Sequence, residues 1–332
     1  MSSLRIGVIG TGAMGRNHIR VLSDMENVDL VAVADTDEKI LEKIGNKYCV
    51  KTYLDYNKML EIEGLDIVAI VVPTKLHHKV AIDCLKAKVN VLLEKPIAST
   101  VKEAQEIIDA ARKEGVLLTI GHIERFNPAI QEMKKKINNG DIGKVYQIAV
   151  KRIGPFPARV RDVGVVIDLS VHDIDIMRYM LECEPKRIFA ETEKKINTAH
   201  EDLLSGMLKF SNDVICHLEI NWLTPTKKRK IYVTGEKGML TADYINQDLI
   251  YHENSSKDKP SKDEKFLITE GKMVKYVIQR KEPLRAELEH FVECVLHNKK
   301  PLVSGEDGLK ALKIAELVIK SANNSEVVKL GK

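Results

Sequence analysis

The sequence predicts an α/β protein of two domains, in which a doubly wound parallel sheet precedes an α+β domain with an open, mainly antiparallel sheet. Up to about residue 121, short β-branched runs alternate with stretches of helical periodicity, as in a parallel sheet with crossover helices. Beyond Asn127-Pro128 and one further helix, strands follow one another and are joined by turns. We predict a first domain over residues 1–122 and a second over 123–332, whose last helix packs back on the first.

The first domain is predicted from aliphatic runs separated by helices, each of which begins near a Ser, Thr, Asp or Pro. The predicted strands are residues 4–9, 30–34, 67–72, 89–93 and 116–120, with a further short strand within 48–53. The predicted helices are residues 13–25, 37–46, 55–62, 75–87 and 100–114.

The second domain is predicted from consecutive strands and two late helices. The strands are residues 145–153, 187–195, 203–210, 214–222, 230–234 and 238–244, and the helices are residues 284–297 and 307–322. Turns at Asn212-Asp213 and between Gly235 and Gly238 make neighbouring strands antiparallel. The polar, lysine-rich segment 254–265 is interpreted as a loop or hairpin tip.

Composition limits the function classes. The 332 residues carry a net charge of only +4, with no long basic block, which disfavours nucleic-acid binding and favours a small-molecule partner. Five cysteines are scattered singly without a CxxC pair, as expected for reduced thiols in the cytoplasm rather than for disulfides or zinc. No secretory signal is recognisable, and the longest apolar runs are too short to span a bilayer, so no membrane association is predicted.

A glycine-rich turn follows the first predicted strand and opens the first predicted helix. Its residues are Gly10, Thr11, Gly12, Ala13, Met14 and Gly15. In a βαβ unit this spacing serves dinucleotide binding: the glycines permit a tight turn, close approach of the pyrophosphate, and packing of helix on strand. The alternative, a glycine-rich turn in an unrelated α/β protein, would be favoured for the motif alone, but strand, helix and Asp35 are all in place here.

Asp35 ends the second predicted strand, twenty residues after Gly15. A carboxylate here can accept hydrogen bonds from the adenosine ribose and would repel a 2′-phosphate. Thr36 and Asp37 supply no arginine for such a phosphate. The sequence therefore predicts NAD as the cofactor, and it assigns His18, on the following helix, to packing.

The tripeptide Glu94-Lys95-Pro96 ends an apolar run at the edge where open α/β sheets bind ligands. A lysine at a strand end is usually a surface residue, but Pro96 fixes the chain direction and holds Lys95 in a defined, extended geometry. We expect Glu94 and Lys95 to line the cofactor, and Lys95 to donate to, or exchange a proton with, a substrate oxygen.

A second loop on the same edge follows the strand predicted at 67–72. It contains Pro73, Thr74 and His77, which either line the cofactor or simply begin a helix.

Asp168 and His172 are the candidate acid–base pair of the second domain. If a helix begins here, the two side chains lie one turn apart on the same face, so one can hold a substrate hydroxyl while the other takes its proton. Asp173 is expected to cap the helix or to orient the site. A purely structural role for Asp168 and His172 is one alternative. Half of a metal site is another, but no matching ligand cluster is apparent, and we predict no metal.

Five segments, in chain order, resemble the Gfo/Idh/MocA family of oxidoreductases over nearly the whole sequence. They are GVIGTGAMGRNHIRVL, VAVADTD, VVPTKLHH, VLLEKPIA and DLSVHDID. The resemblance implies an NAD(P)-dependent dehydrogenase of a sugar or cyclitol hydroxyl, with a Rossmann domain followed by an open antiparallel sheet. It also implies that Lys95 lies beside the nicotinamide and that His172 is the acid/base.

A narrower similarity concerns residues 121–129, GHIERFNPA. They look like the segment after the last Rossmann strand in family members that oxidise C3 of UDP-N-acetylglucosamine. Arg125 and Asn127 are then candidates for contacting the sugar or its phosphates, unless they tie the linker between the domains. Relatives that act on the corresponding uronic acid carry different residues here, which weakens the uronate alternative.

These residues lead to one hypothesis and three alternatives. In the hypothesis, His172 takes the proton of the sugar 3-hydroxyl, Lys95 polarises the same oxygen, and Asp168 holds a neighbouring hydroxyl. The alternatives are a dehydrogenase of a free polyol such as an inositol, NAD-assisted glycoside cleavage, and a non-catalytic NAD-dependent binding or regulatory protein. The apolar open face of the second sheet further predicts a homo-oligomer, a dimer or a tetramer.

Overall fold

The computed structural model describes residues 3–157, 163–196, 199–255 and 270–330. Most of the predicted loop at 254–265 lies outside the described residues. The chain forms two compact units, the first comprising Met1–Ile123 with Glu282–Lys313, the second Glu124–Lys281 with Ile314–Lys332. A segment far along the sequence thus completes the first unit.

The first unit contains a six-stranded parallel sheet with the order β3-β2-β1-β4-β5-β6. Its elements are β1 (Leu4–Ile9), α1 (Ala13–Leu22), β2 (Val28–Ala34), α2 (Glu38–Tyr48), β3 (Lys51–Tyr53), α3 (Tyr56–Glu63), β4 (Ile67–Ile70), α4 (Thr74–Lys86), β5 (Asn90–Leu93), α5 (Val101–Glu114) and β6 (Leu118–Ile120). The strand order reverses between β1 and β4, and a doubly wound sheet binds its ligand at the carboxyl ends of such strands. The predicted α/β class is confirmed.

Local signals explain where these helices begin and end. The side chain of Asp37 caps α2 by accepting a hydrogen bond from the N–H of Ile40. Thr100 and Glu103 form a reciprocal capping box at the start of α5. The same helix ends at Gly115, whose φ of +70° is easily reached only by glycine.

The second unit contains a nine-stranded sheet with the order β14-β13-β12-β11-β7-β10-β9-β8-β15. Its elements are α6 (Pro128–Asn138), β7 (Val145–Pro155), α7 (Val171–Leu181), β8 (Pro185–Glu193), β9 (Leu203–Phe210), β10 (Ile215–Asn221), β11 (Leu223–Gly235), β12 (Gly238–Asp243), β13 (Asp248–Glu253), β14 (Met273–Tyr276) and β15 (Val328–Lys329). Of the two remaining helices, α8 (Pro283–Leu296) belongs to the first unit, and α9 (Gly305–Asn324) begins in the first unit and ends in the second. Among the described strands, β7 and β10 are parallel and the other neighbours are antiparallel. The prediction of an open, mainly antiparallel sheet is confirmed.

The two faces of this sheet differ in burial. Along β9, Leu204 and Leu208 are fully buried, whereas Met207 between them is 38% exposed. This alternation places one face of the sheet in the core and leaves the other accessible. Within the described part of the chain, no helix is long and apolar enough to cross a membrane.

Candidate active site

The glycine-rich turn of the first unit lies at the carboxyl end of β1. Gly10 has a φ of +96°, and a Cβ built on it would lie 2.4 Å from the carbonyl oxygen of Val71. A Cβ on Gly15 would lie 2.0 Å from the carbonyl oxygen of Gly10. A Cβ on Gly12, in contrast, would meet no atom within 4 Å. Of these three glycines, only Gly12 therefore borders open space from which a ligand can approach the backbone.

Helix α1 begins with Ala13 and Met14, and its N-terminus fits a bound pyrophosphate. No side-chain hydrogen bond caps this helix, and its first turn contains no acidic residue. Its backbone N–H groups are therefore available to phosphate oxygens, and the positive end of the helix dipole favours an anion. The residues at this turn fit the pyrophosphate of NAD.

Asp35 follows β2 and is tied to the same turn. Its Oδ2 accepts hydrogen bonds from the N–H of Thr11 at 2.6 Å and from Thr11 Oγ1 at 2.7 Å. Burial opposes ionisation, but the hydrogen bonds from Thr11 hold the pKa of Asp35 below its usual value. An ionised carboxylate fits ribose hydroxyls and disfavours a 2′-phosphate.

Glu94 and Lys95 follow β5 directly. The Oε1 of Glu94 lies 3.0 Å from Nε2 of the fully buried His18, and its Oε2 accepts a hydrogen bond from the N–H of Lys95 at 3.2 Å. Burial opposes the charge of Glu94, but the bond with His18 keeps the pKa of Glu94 below its usual value. Glu94 thereby links α1, whose N-terminus faces the pyrophosphate position, to the backbone of Lys95, whose side chain is half-exposed.

His77 supports the same region from α4, which begins at Thr74 after the N-cap residue Pro73. It is 1% exposed, with Nδ1 2.7 Å from the carbonyl oxygen of Pro96 and Nε2 2.9 Å from that of Val72. Burial lowers the pKa of His77, whereas the contacts with the two carbonyls raise it, and a ring nitrogen donates to at least one of these oxygens. These contacts favour a bracing role over direct contact with the cofactor.

Asp168 and His172 lie at the start of a helix in the second unit, as the spacing predicts. A single π-helical turn, Val166–Ser170, leads into α7, and the N–H of Asp168 donates to the carbonyl oxygen of Gly164 at 3.0 Å. π-helical turns recur at functional sites. Both side chains are half-buried, which suits groups that bind and deprotonate a small molecule.

Asp173, next to His172, is held in a buried ion cluster. Its two carboxylate oxygens accept from Nε and Nη2 of Arg152 at 2.6 and 2.9 Å, and Nη1 of Arg152 lies 3.1 Å from Glu124 Oε1. Burial opposes the charge of Arg152, but Asp173 and Glu124 raise its pKa above the usual range. Asp173 thus orients the start of α7, one of the two roles predicted for it.

The contacts of Arg125 and Asn127 agree with the second of the two roles considered for them, tying the linker between the domains, and their contact with the sugar stays a prediction. Nε and Nη2 of Arg125 lie 2.7 and 2.6 Å from the carboxylate oxygens of Asp175, and Arg125 is 4% exposed. Asn127 caps α6 through the N–H of Ala129, and its Nδ2 donates to the carbonyl oxygen of Tyr244 at 3.0 Å. Both side chains tie the segment after residue 123 into the second unit.

Sequence reasoning missed Arg152, Glu124 and Arg229. Arg152 lies between Lys151 and Ile153 near the end of the predicted strand, where it does not stand out from its charged neighbour. Its partners come from distant elements, so their identity could not be read from spacing. Among the described residues, no group of three or more His, Cys, Asp or Glu side chains could hold a metal ion.

Comparison with known proteins agrees with the fold. A model of an oxidoreductase family with an NAD-binding Rossmann fold matches residues 4–122, and a model of the C-terminal α/β domain of that family matches residues 134–330. Among curated proteins, the chain is 27% identical to myo-inositol 2-dehydrogenase of Thermotoga maritima over 98% of each chain. It is 25% identical to UDP-N-acetylglucosamine 3-dehydrogenase of Acidithiobacillus ferrooxidans, over 95% of this chain and 96% of that protein.

Solved structures show the same architecture. The UDP-N-acetylglucosamine 3-dehydrogenase of Acidithiobacillus ferrooxidans has a TM-score of 0.86 at 23% identity, covering 98% of this chain and 99% of that chain. The myo-inositol 2-dehydrogenase of Lactobacillus plantarum has a TM-score of 0.83 at 26% identity, covering 99% and 100%. Because both domains of one family match in order and together span most of the sequence, the chain belongs to the Gfo/Idh/MocA oxidoreductases and has their NAD-binding Rossmann domain.

Proposed function

We propose that the protein oxidises the 3-hydroxyl of UDP-N-acetylglucosamine to a ketone, with NAD⁺ as hydride acceptor. The reaction type is supported by the half-buried pair Asp168 and His172 at the start of α7, together with Lys95 after β5, whose backbone N–H is held by Glu94. The choice of sugar is supported by the similarity of residues 121–129 and by the full-length relative in Acidithiobacillus ferrooxidans.

In the proposed mechanism, His172 takes the proton of the 3-hydroxyl as the hydride leaves C3, so that the C–O bond becomes a carbonyl. Lys95 donates to the same oxygen and stabilises the negative charge that develops on it. Asp168 accepts from a neighbouring hydroxyl and orients the ring. Bound NAD⁺ supplies the acceptor for the hydride. Arg125 and Asn127 hold the surrounding segment in place, and contact of either side chain with the sugar stays a prediction.

A free polyol such as an inositol is the second candidate substrate. The full-length similarity to the Thermotoga maritima inositol dehydrogenase supports it, and the buried pair of Arg125 with Asp175 removes one side chain that a nucleotide diphosphate could have used.

The experiment is to incubate the protein with NAD⁺ and UDP-N-acetylglucosamine carrying deuterium at C3. We expect deuterium in the reduced cofactor and a 3-keto product, both detected by mass spectrometry. Turnover of myo-inositol with none of the nucleotide sugar would contradict the substrate assignment. A Lys95→Met/His172→Gln double variant that still binds NAD⁺ but turns over neither compound would exclude a contaminating dehydrogenase, and an active double variant would contradict the mechanism.

We also propose that the protein is a cytoplasmic homo-oligomer that associates through the accessible sheet face. The scattered single cysteines support the location. A row of register partners on that face supports the association: Phe189, Met207, His217, Ala149 and Tyr232. Apolar and aromatic side chains in such a row suit a self-complementary interface.

A further inference from the structure

Arg229 lies directly opposite Arg152 on the neighbouring strand of the second-unit sheet, because the two residues are register partners of β11 and β7. Like charges in this relation repel each other. Burial, and then the charge of Arg152, lower the pKa of Arg229. Each of these two guanidinium groups therefore needs hydrogen-bond acceptors of its own.

The protein supplies close acceptors to only one of the two arginines. Arg152 makes a bidentate pair with Asp173 at 2.6 and 2.9 Å and a third bond to Glu124 at 3.1 Å. Among the described residues, the Arg229 side chain has one ion pair, a 3.8 Å contact with the same Glu124 oxygen, and no hydrogen bond. Because the Arg229 side chain is 32% exposed, its N–H donors can reach a ligand.

The position and charge balance of Arg229 indicate what that ligand offers. Arg152, the register partner of Arg229, is bonded to Asp173, which directly follows His172, so Arg229 lies near the acid–base pair of the second unit. Glu124 and Asp173 already offset the charges of the two arginines. Arg229 therefore offers a ligand its N–H donors but no excess of positive charge. Such donors fit uncharged oxygen atoms better than a phosphate.

We propose that Arg229 binds the substrate by donating hydrogen bonds to uncharged oxygen atoms, hydroxyl or amide carbonyl, of the ring that carries the reacting carbinol. The inference rests on the proposed site at Asp168 and His172, but it holds for a nucleotide sugar and for a free polyol. Asp168 then offers acceptors and Arg229 offers donors to the same polyhydroxylated ring.

The test compares Arg229→Met with Arg229→Lys and with Lys228→Met, which alters an exposed neighbour on the same strand. For whichever substrate the wild-type enzyme oxidises, we expect Arg229→Met to raise KM at least about tenfold, since hydrogen bonds from a charged donor are lost. Arg229→Lys should recover part of this loss, and Lys228→Met should behave as wild type. The Kd of NAD⁺ should stay within about twofold in all three variants.

A wild-type KM in Arg229→Met would overturn the inference while leaving the proposed function intact. Loss of affinity for UDP as an inhibitor, without loss of affinity for the sugar or polyol, would overturn it as well, because Arg229 would then contact phosphate. Oxidation of myo-inositol in place of UDP-N-acetylglucosamine overturns only the proposed substrate, since KM is then measured for the polyol. Thermal melting checks the fold, and the lysine variant provides the test if the methionine variant unfolds.

Discussion

Each of the residues Lys95 and His172, which are proposed to act in catalysis, is adjacent in sequence to a residue that is fixed by a buried partner. Glu94 precedes Lys95 and is fixed by the buried His18. Asp173 follows His172 and is fixed by the buried Arg152. In both cases the neighbouring side chain is half-exposed and can meet a ligand. A rigid neighbour of this kind reduces the conformational freedom that a catalytic side chain would otherwise lose when it reacts.

Replacing His172 should remove the proton acceptor without disturbing the cofactor. For His172→Gln we expect kcat to fall by about 10²- to 10⁴-fold, with an unchanged Kd for NAD⁺. The matched control is His297→Gln, because His297 is an exposed histidine at the end of α8, and it should keep the wild-type kcat. Steady-state kinetics and fluorescence titration with NAD⁺ measure both quantities, and a wild-type kcat in His172→Gln would refute the assignment.

Glu287 should make the first unit less stable as the pH rises. Both of its carboxylate oxygens are buried and lack a partner among the described residues, and burial, followed by the charge of Glu94, raises the pKa of Glu287 well above its usual value. A raised folded-state pKa means that its contribution to stability is fully present below the unfolded pKa of about 4.3 and is lost as the pH rises toward the folded-state pKa. Gln at this position has no such dependence.

We therefore expect the stability of Glu287→Gln relative to wild type to increase by at least about 1 kcal/mol between about pH 5 and pH 8. Urea unfolding followed by circular dichroism at the two pH values measures this difference. Glu293→Gln, at an exposed position of the same helix, should show little change. A pH-independent difference for Glu287→Gln would mean that its carboxyl group is not held neutral.

At the scale of elements, we expect two glycines of the same turn to have different roles: Gly15 is needed for folding and Gly12 for binding of the cofactor. A Cβ at position 15 meets backbone at 2.0 Å, whereas one at position 12 meets open space. Gly15→Ala should therefore destabilise the protein by about 1–3 kcal/mol or more, because the backbone must move. Gly12→Ala should keep the wild-type melting temperature but lose at least about tenfold in NAD⁺ affinity, since its methyl group occupies the pyrophosphate position. Calorimetry with and without NAD⁺ distinguishes these outcomes, and a Gly12→Ala variant with wild-type affinity would contradict the cofactor position.

The elements could be predicted from sequence where their signals are local. The glycine turn, the capping residues and the apolar runs of β1 to β6 depend on neighbouring residues, and the first sheet follows from them. β11 was predicted over residues 230–234 but extends over Leu223–Gly235, because its first half carries exposed polar residues that hide the strand pattern. The ion pair of Arg125 with Asp175 joins residues 50 positions apart, so no local sequence pattern predicts it.

At the scale of the whole molecule, the accessible sheet face predicts the assembly state. Met207 lies in the row defined above and is 38% exposed. A charge buried in an apolar interface is costly, so Met207→Glu should convert the proposed oligomer to monomers, measured by light scattering after size exclusion. Asn46→Glu introduces the same charge at an exposed position of α2 and should leave the mass unchanged. An oligomer that persists in Met207→Glu would place the interface elsewhere.

The first unit includes Glu282–Lys313, so it cannot be completed until most of the chain has been synthesised. Leu284, Leu288 and Phe291 of α8 share a core with Ile19 and Leu22 of α1, although they stand near the other end of the sequence. A ribosome that has finished residue 123 must add about 160 more residues before α8 emerges, which takes roughly 10–30 s at typical rates of synthesis. During that time the apolar side of α1 lacks the α8 side chains that pack against it, and a chain released early keeps that side uncovered.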